Sequence, residues 1–145
     1  MTSPFRVNLI AVINKSKTHV LMCHRQKDPY YLKYNFVGGK VLDDESSLAG
    51  AYRELKEETG ICGDIIEIKP LLTSHYFDDN LSLEIFSGVL SEDFEVIEEA
   101  NPLVWIGLDE DFSSNKYAGD GNVQHIIQTI KYLYSLQDEM SKYKL

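Results

Sequence analysis

The chain contains no apolar run near the roughly 18 residues that a membrane-spanning helix needs. Residues 1–7 are too short and too polar to read as a signal peptide. Cysteine is scarce. Cys23 and Cys62 are the only two, and their spacing matches neither a disulfide framework nor a thiolate metal site, so both are expected to be reduced in a cytoplasmic protein. Basic residues are also in deficit. Lys and Arg number 14 against 23 Asp and Glu, a formal net charge of −9. That balance argues against a nucleic-acid duplex as partner, because duplex binding rewards a basic face through counterion release. An acidic protein can still act on a phosphate compound when a metal ion supplies the positive charge. Repeats, low-complexity tracts and linkers are lacking as well, so 145 residues are expected to form one domain, 1–145.

What is present reads as alternating strands and helices. Residues 6–14 (RVNLIAVIN) and 18–24 (THVLMCH) form a predicted hairpin around a turn at residues 15–17. Residues 26–33 read as a loop, and 34–37 as a short extended segment leading into Gly38 and Gly39. From Ser46 or Ser47 to Thr59 the period becomes helical, through Leu48, Ala51, Tyr52 and Leu55, with a serine at the N-cap and Gly60 at the C-terminal end. Residues 65–77 and 81–90 are further strands, joined by the turn Asp78-Asp79-Asn80. An acidic loop, residues 91–102, leads to a last strand at 104–108 and a polar loop at 109–121. A terminal amphipathic helix begins at Val123 and runs to about Gln137. The order predicts an α/β (α+β) domain with a mixed sheet flanked by two helices.

The chemistry concentrates in the first helix. Glu54, Glu57 and Glu58 stand at i, i+3 and i+4 and share a face. Clustered carboxylates repel one another, and a hard divalent cation such as Mg²⁺ or Mn²⁺ is the partner that makes such a face useful. Arg53, one turn before Glu57, is placed to pair with it. Ahead of the helix, Gly38-Gly39-Lys40 allows close approach of backbone to a metal or phosphate. A glycine turn and a carboxylate-faced helix together suit a metal-dependent phosphoanhydride hydrolase.

Gly39, Glu45, Arg53-Glu54-Leu55, Glu57-Glu58 and Gly60-Ile61 match, position by position, the signature G-x5-E-x7-R-E-U-x-E-E-x-G-U, where U is a bulky aliphatic residue. The chain therefore resembles the Nudix (MutT-like) hydrolases. The match covers residues 39–61 in detail and the order of elements in outline. The resemblance implies a Nudix-type α/β/α sandwich and hydrolysis of a phosphoanhydride bond by water. It implies that Glu54, Glu57 and Glu58 ligate Mg²⁺ or Mn²⁺, together with the carbonyl of Gly38 or Gly39, and that one of the glutamates serves as base. Arg53 would orient the glutamates, with Glu45 and Gly60 mainly structural. Glu99, in the loop before the last strand, resembles an extra carboxylate ligand of the mutator-type triphosphatases.

Substrate choice lies outside this motif. The approach Tyr34-Asn35-Phe36-Val37-Gly38-Gly39-Lys40 resembles that of enzymes that sanitise oxidised purine nucleoside triphosphates. That likeness implies base reading by Asn35 and Asp120, although Val37 replaces the usual proline. Lys40 is a candidate substrate-binding residue. Tyr76 stands at an offset resembling the tyrosine of dinucleoside polyphosphate hydrolases, and Ser74-His75-Tyr76-Phe77 lacks the proline of many ADP-ribose hydrolases. The expectation is a nucleoside triphosphate pyrophosphohydrolase acting on a small-molecule nucleotide, with no membrane partner, as a monomer or homodimer. Linked nucleoside diphosphates are the alternative substrates, and a nucleotide-sensing module without turnover is a third reading.

Overall fold

A computed structural model describes residues 4–141. Its elements in chain order are β1 (Phe5–Ile13), β2 (His19–His24), β3 (Tyr34–Asn35), α1 (Ser47–Thr59), β4 (Lys69–Tyr76), β5 (Leu81–Val89), β6 (Leu103–Gly107) and α2 (Asn122–Ser141). Six strands form one mixed sheet in the order β3-β2-β1-β5-β4, and β6, off this path, also pairs with β2. The centre of the sheet is the parallel pair of β1 and β5, in register from Phe5 opposite Leu81 to Ile13 opposite Val89.

Strand periodicity gives the sheet two apolar faces. In β1, Ile10 and Val12 join Leu21, Leu55 and Phe86 in one core, while Ala11 and Ile13 join Val20, Met22, Ile126 and Ile130 in the other. The first core holds Ala51 and Leu55 of α1 and the second holds the buried face of α2, so the sheet lies between the two helices as the α/β/α expectation required. Among the described residues, no helix is long and apolar enough to cross a membrane.

The ends of α1 follow from local chemistry. Ser46 is the N-cap, its hydroxyl accepting the N–H of Ala49 at 3.1 Å. Gly60 caps the other end at φ 80° and donates its N–H to the Lys56 carbonyl, a left-handed position that favours glycine. Leu48, read as part of the apolar stripe, is 43% exposed, and Gly50 is buried in its stead with Ala51, Leu55 and Thr59.

Three boundaries differ from the sequence reading by more than one residue. The fourth strand starts at Lys69 rather than residue 65, because Ile65, Ile66 and Ile68 are all buried in the α1-side core instead of alternating. Ile68 also gives its N–H to the Tyr52 hydroxyl at 3.0 Å rather than to a neighbouring strand. Only Tyr34 and Asn35 of segment 34–37 form a strand, with Val37 in a single bridge to Ile10. The final helix runs on to Ser141.

The predicted first hairpin forms, but β1 and β2 are paired at one position alone, Ile13 opposite Val20. Toward its N-terminal end β1 pairs instead with the stretch after β3. The N–H of Ile10 bonds to the Val37 carbonyl at 2.7 Å, and the N–H of Asn8 to the Gly39 carbonyl at 2.8 Å. The strands part, and a cleft lies against the divergence.

Candidate active site

The cleft has a volume of about 570 Å³, within the ordinary range for a small-molecule site. β1 contributes Val7, Asn8 and Leu9, the far end of β2 contributes Cys23, and Arg25 follows just after it. Asn35, Phe36, Gly38 and Gly39 border it after β3, and Glu58 reaches it from α1. Tyr76 closes one side with Phe5, and Tyr30 stands on the rim. The loop before α2 is fastened to β3 by two backbone bonds, Tyr34 N–H to the Lys116 carbonyl and Ala118 N–H to the Tyr34 carbonyl, each 2.8 Å. That attachment brings Ala118, Gly119 and Asn122 to the cleft.

Arg53 organises the helix face beside it. Its Nε and Nη2 donate to the two carboxylate oxygens of Glu45 at 2.9 and 2.7 Å. Nη1 donates to Glu54 at 3.1 Å and Glu57 at 3.0 Å, and Nη2 also reaches the Lys40 carbonyl at 2.9 Å. One planar guanidinium thus ties the glycine turn, the helix and the segment between them. Glu45 also accepts the N–H of Leu42 at 2.8 Å. The Arg53 hydrogen bonds and that backbone donor hold its pKa down at about 2. Arg53 is pushed the other way, upward, chiefly by Glu45.

The remaining carboxylates are in the opposite condition. Burial raises the pKa of Glu54, opposed by Arg53 and reinforced by the charges of Glu57 and Glu45. Glu58 is raised by burial, then by Glu54, with Arg25 opposing and Glu57 and Glu99 adding to the rise. Glu99 therefore belongs to the same field of negative charge. Its neighbour Glu98 has a different task, accepting the N–H of Leu103 at 2.7 Å.

The donor set fits a hard divalent cation. It consists of carboxylate oxygens from one helix face, with Glu54 and Glu58 partly desolvated. Among the described residues, no group of three or more His, Cys, Asp or Glu side chains already converges as a cage. Arg53 holds Glu54 and Glu57, and their mutual repulsion opposes convergence. Of the two glycine carbonyls, that of Gly39 accepts the N–H of Asn8, while no hydrogen bond reaches Gly38 O among the described residues. A Cβ on Gly39 would lie 2.5 Å from the Glu54 carboxylate, so glycine is what lets this carboxylate rest on the turn.

The sequence-predicted residues divide into three groups. Asn35, Gly38, Gly39, Glu58 and Tyr76 line the cleft, and the Tyr76 hydroxyl accepts a hydrogen bond from Asn122 Nδ2 at 2.9 Å. Arg53, Glu54 and Glu57 adjoin it through the network above. Lys40 and Asp120 are not in the lining. The Lys40 ammonium is exposed, 4.9 Å from the Phe5 ring centroid. Asp120 occupies a turn at φ 51° between two glycines. Cys23 is buried and Cys62 half-buried, both free thiols, and burial pushes the Cys23 thiol up. Among the lining residues that escaped the sequence reading are Phe5, Asn8, Arg25 and Asn122. Asn8 alone carried a signal, as an amide inside a β-branched apolar run.

The family model described as NUDIX domain matches residues 4–116. A search of curated proteins returns no match. Among solved structures, the chain is similar to a MutT/nudix family protein from Enterococcus faecalis, at 21% identity and TM-score 0.64 over 78% of this chain. It spans 47% of that protein's length. A Caenorhabditis elegans Ap4A hydrolase binary complex is similar at 15% identity and TM-score 0.72, covering 90% of this chain and 98% of that one. The NUDIX domain of Shewanella oneidensis NrtR, complexed with ADP ribose, is similar at 14% identity and TM-score 0.74, covering 92% and 90%. These likenesses establish the fold.

Proposed function

The chain belongs to the Nudix hydrolase family, and from that premise we propose that it is a Mg²⁺- or Mn²⁺-dependent pyrophosphohydrolase that cleaves a nucleoside triphosphate to the monophosphate and pyrophosphate. The observation that carries the reading is the Arg53 network, which gathers Glu45, Glu54, Glu57 and the Lys40 carbonyl at the edge of a nucleotide-sized cleft.

Glu54, Glu57 and Glu58 are the proposed metal ligands, with the Gly38 carbonyl preferred over that of Gly39 and Glu99 contributing from its loop. These groups would hold a divalent cation, which would supply positive charge against the phosphates and lower the pKa of a bound water. Glu57, the more exposed of the two carboxylates on Arg53 Nη1, is the candidate to take the proton. As the water oxygen bonds to phosphorus, the phosphorus–oxygen bond to the leaving pyrophosphate breaks. Arg25, on the cleft wall near Glu58, brings positive charge to the phosphate end. Val7, Leu9, Phe36 and Leu83 offer an apolar wall to a nucleobase, and Asn35 offers it an amide edge.

A second reading, hydrolysis of linked nucleoside diphosphates such as dinucleoside polyphosphates, ADP-ribose or sugar nucleotides, draws on Tyr76, which lines the cleft with its hydroxyl held by Asn122. A metal-supplemented panel of triphosphates, oxidised triphosphates and linked diphosphates separates the two by rate and product. In that panel Glu57→Gln is expected to lower kcat by at least 10²-fold with the melting temperature held, in line with the size of general-base effects. Wild-type turnover in this variant would refute the assigned centre. Nucleotide binding without turnover by the wild type would favour a sensing module.

A further inference from the structure

Asn8 is the polar residue at the floor of the cleft that the network above leaves out. It lies in β1 and is 0% exposed, on the strand face that continues with Ile10 and Val12. Half of its hydrogen-bonding capacity is committed to the glycine turn. Its backbone N–H bonds to the Gly39 carbonyl at 2.8 Å, and its Oδ1 accepts the Gly39 N–H at 2.9 Å. The second bond settles the orientation of the amide, since a reversed carboxamide would set N–H against N–H. The remaining side-chain group, Nδ2, is buried and has no hydrogen-bond partner.

A buried amide donor without an acceptor is destabilising, and an apolar residue would have suited this strand better. The position of the amide suggests why it is there. Asn8 borders the same cleft as Gly38 and Gly39, at the proposed phosphate end, and as its strand neighbours Val7 and Leu9, whose side chains alternate to the other face of β1. Resting on the proposed function, we propose that Asn8 is a substrate-binding residue, with Nδ2 donating a hydrogen bond to an oxygen of the nucleotide where sugar meets phosphate. Its Oδ1 meanwhile fixes the turn that carries the Gly38 carbonyl. One side chain thereby sets the distance between the sugar–phosphate junction and the metal-binding face.

Asn8→Asp is the informative variant. It preserves the acceptor for Gly39 N–H and replaces the donor with an oxygen of similar size. The test uses whichever nucleotide the wild type turns over fastest, so a wrong substrate class is exposed by the wild type before any variant is judged. The expected result is a KM raised tenfold or more with kcat within about threefold, whatever stability the buried carboxylate costs. Unchanged KM in a folded variant, or losses in kcat and melting temperature alone, would overturn the proposal and leave Asn8 a structural clamp. Should Asn8→Asp fail to fold, the wild type still decides. The Asn8 side-chain amide resonances are expected to shift when a non-hydrolysable α,β-imido triphosphate is added, and their indifference to it would overturn the assignment. Comparing ribo-, 2′-deoxy- and 2′,3′-dideoxynucleotides locates the acceptor. A variant penalty that vanishes on the dideoxy compound identifies a sugar hydroxyl, and one that persists identifies a phosphate oxygen.

Discussion

Arg53 presents a planar fork to acceptors from four residues, and no lysine could satisfy that geometry. The sequence spacing already placed Arg53 one turn from Glu57. It could not tell that the stronger partner is Glu45, whose carboxylate meets the fork with both oxygens across an intervening cap. The consequence for pH is directional. Glu45 ionises at about 2 in the folded chain against an ordinary 4.5, so the pair contributes stability fully above pH 4.5, and the contribution disappears as pH falls toward 2. Glu45→Gln is expected to lower the denaturant midpoint at pH 7 and to flatten the acid limb between these values. An unaltered acid limb in a pH series of urea melts would contradict the assignment. Other residues were illegible for a different reason. Asn8 and Asn122 act through neighbours 31 and 46 positions away, and Leu48 is exposed because the stripe it extends turns away from the sheet.

Among the elements, the turn at Gly38 and Gly39 and helix α1 are a single packed unit. The two glycines face different obstacles. A Cβ on Gly38 would sit 2.1 Å from the backbone carbonyl oxygen of Asn8, an atom that cannot move without shifting β1. On Gly39 it would meet the Glu54 carboxylate, the free end of a flexible side chain. Gly38→Ala is therefore expected to lose stability on the scale of other backbone-strain substitutions, about 1–3 kcal/mol. Gly39→Ala should melt within a few degrees of wild type yet bind metal poorly, because Glu54 is displaced. Calorimetry of both variants with and without Mn²⁺ tests the contrast, and similar behaviour of the two would contradict it. At this scale helix α1 was the most legible element, since its caps are local chemistry. The stretch 65–68 was not, because a continuous apolar run reads alike as a buried strand or as buried connection, and only Tyr52 and Leu90 decide which.

For the whole molecule, a net charge of −9 and a crowded acidic face set the response to cations. Without metal, the raised values of Glu54 and Glu58 mean that the ionised fold bears a penalty that lessens as pH is lowered through them toward the ordinary carboxylate value. Metal-free Glu58→Gln is expected to melt above the metal-free wild type while losing turnover, an exchange of function for stability. Added Mg²⁺ should reverse the order, since a ligand at 100 times its Kd stabilises by about 2.7 kcal/mol. A wild type whose melting temperature ignores Mg²⁺ would contradict the reversal, and a metal-free Glu58→Gln that melts below metal-free wild type would contradict the exchange. The sandwich was readable from the order of elements and the two-period patterning. The parting of β1 from β2 was not, because it depends on a competition for the β1 edge that residues 37–40 win.

The parallel pairing of β1 with β5 bears on how the protein comes into being. Residues 5–13 find their main partners at 81–89, so the central ladder cannot close until the chain has passed residue 89. Such distant pairing slows folding relative to local structure. The carboxylates of residues 39–61 are contiguous in sequence and lie within the loop that this closure spans. A peptide bearing that whole stretch would hold its glutamates on a short, fraying helix, with no strand to support the glycine turn and no wall to receive a base. On the ribosome, the motif is complete well before the site is.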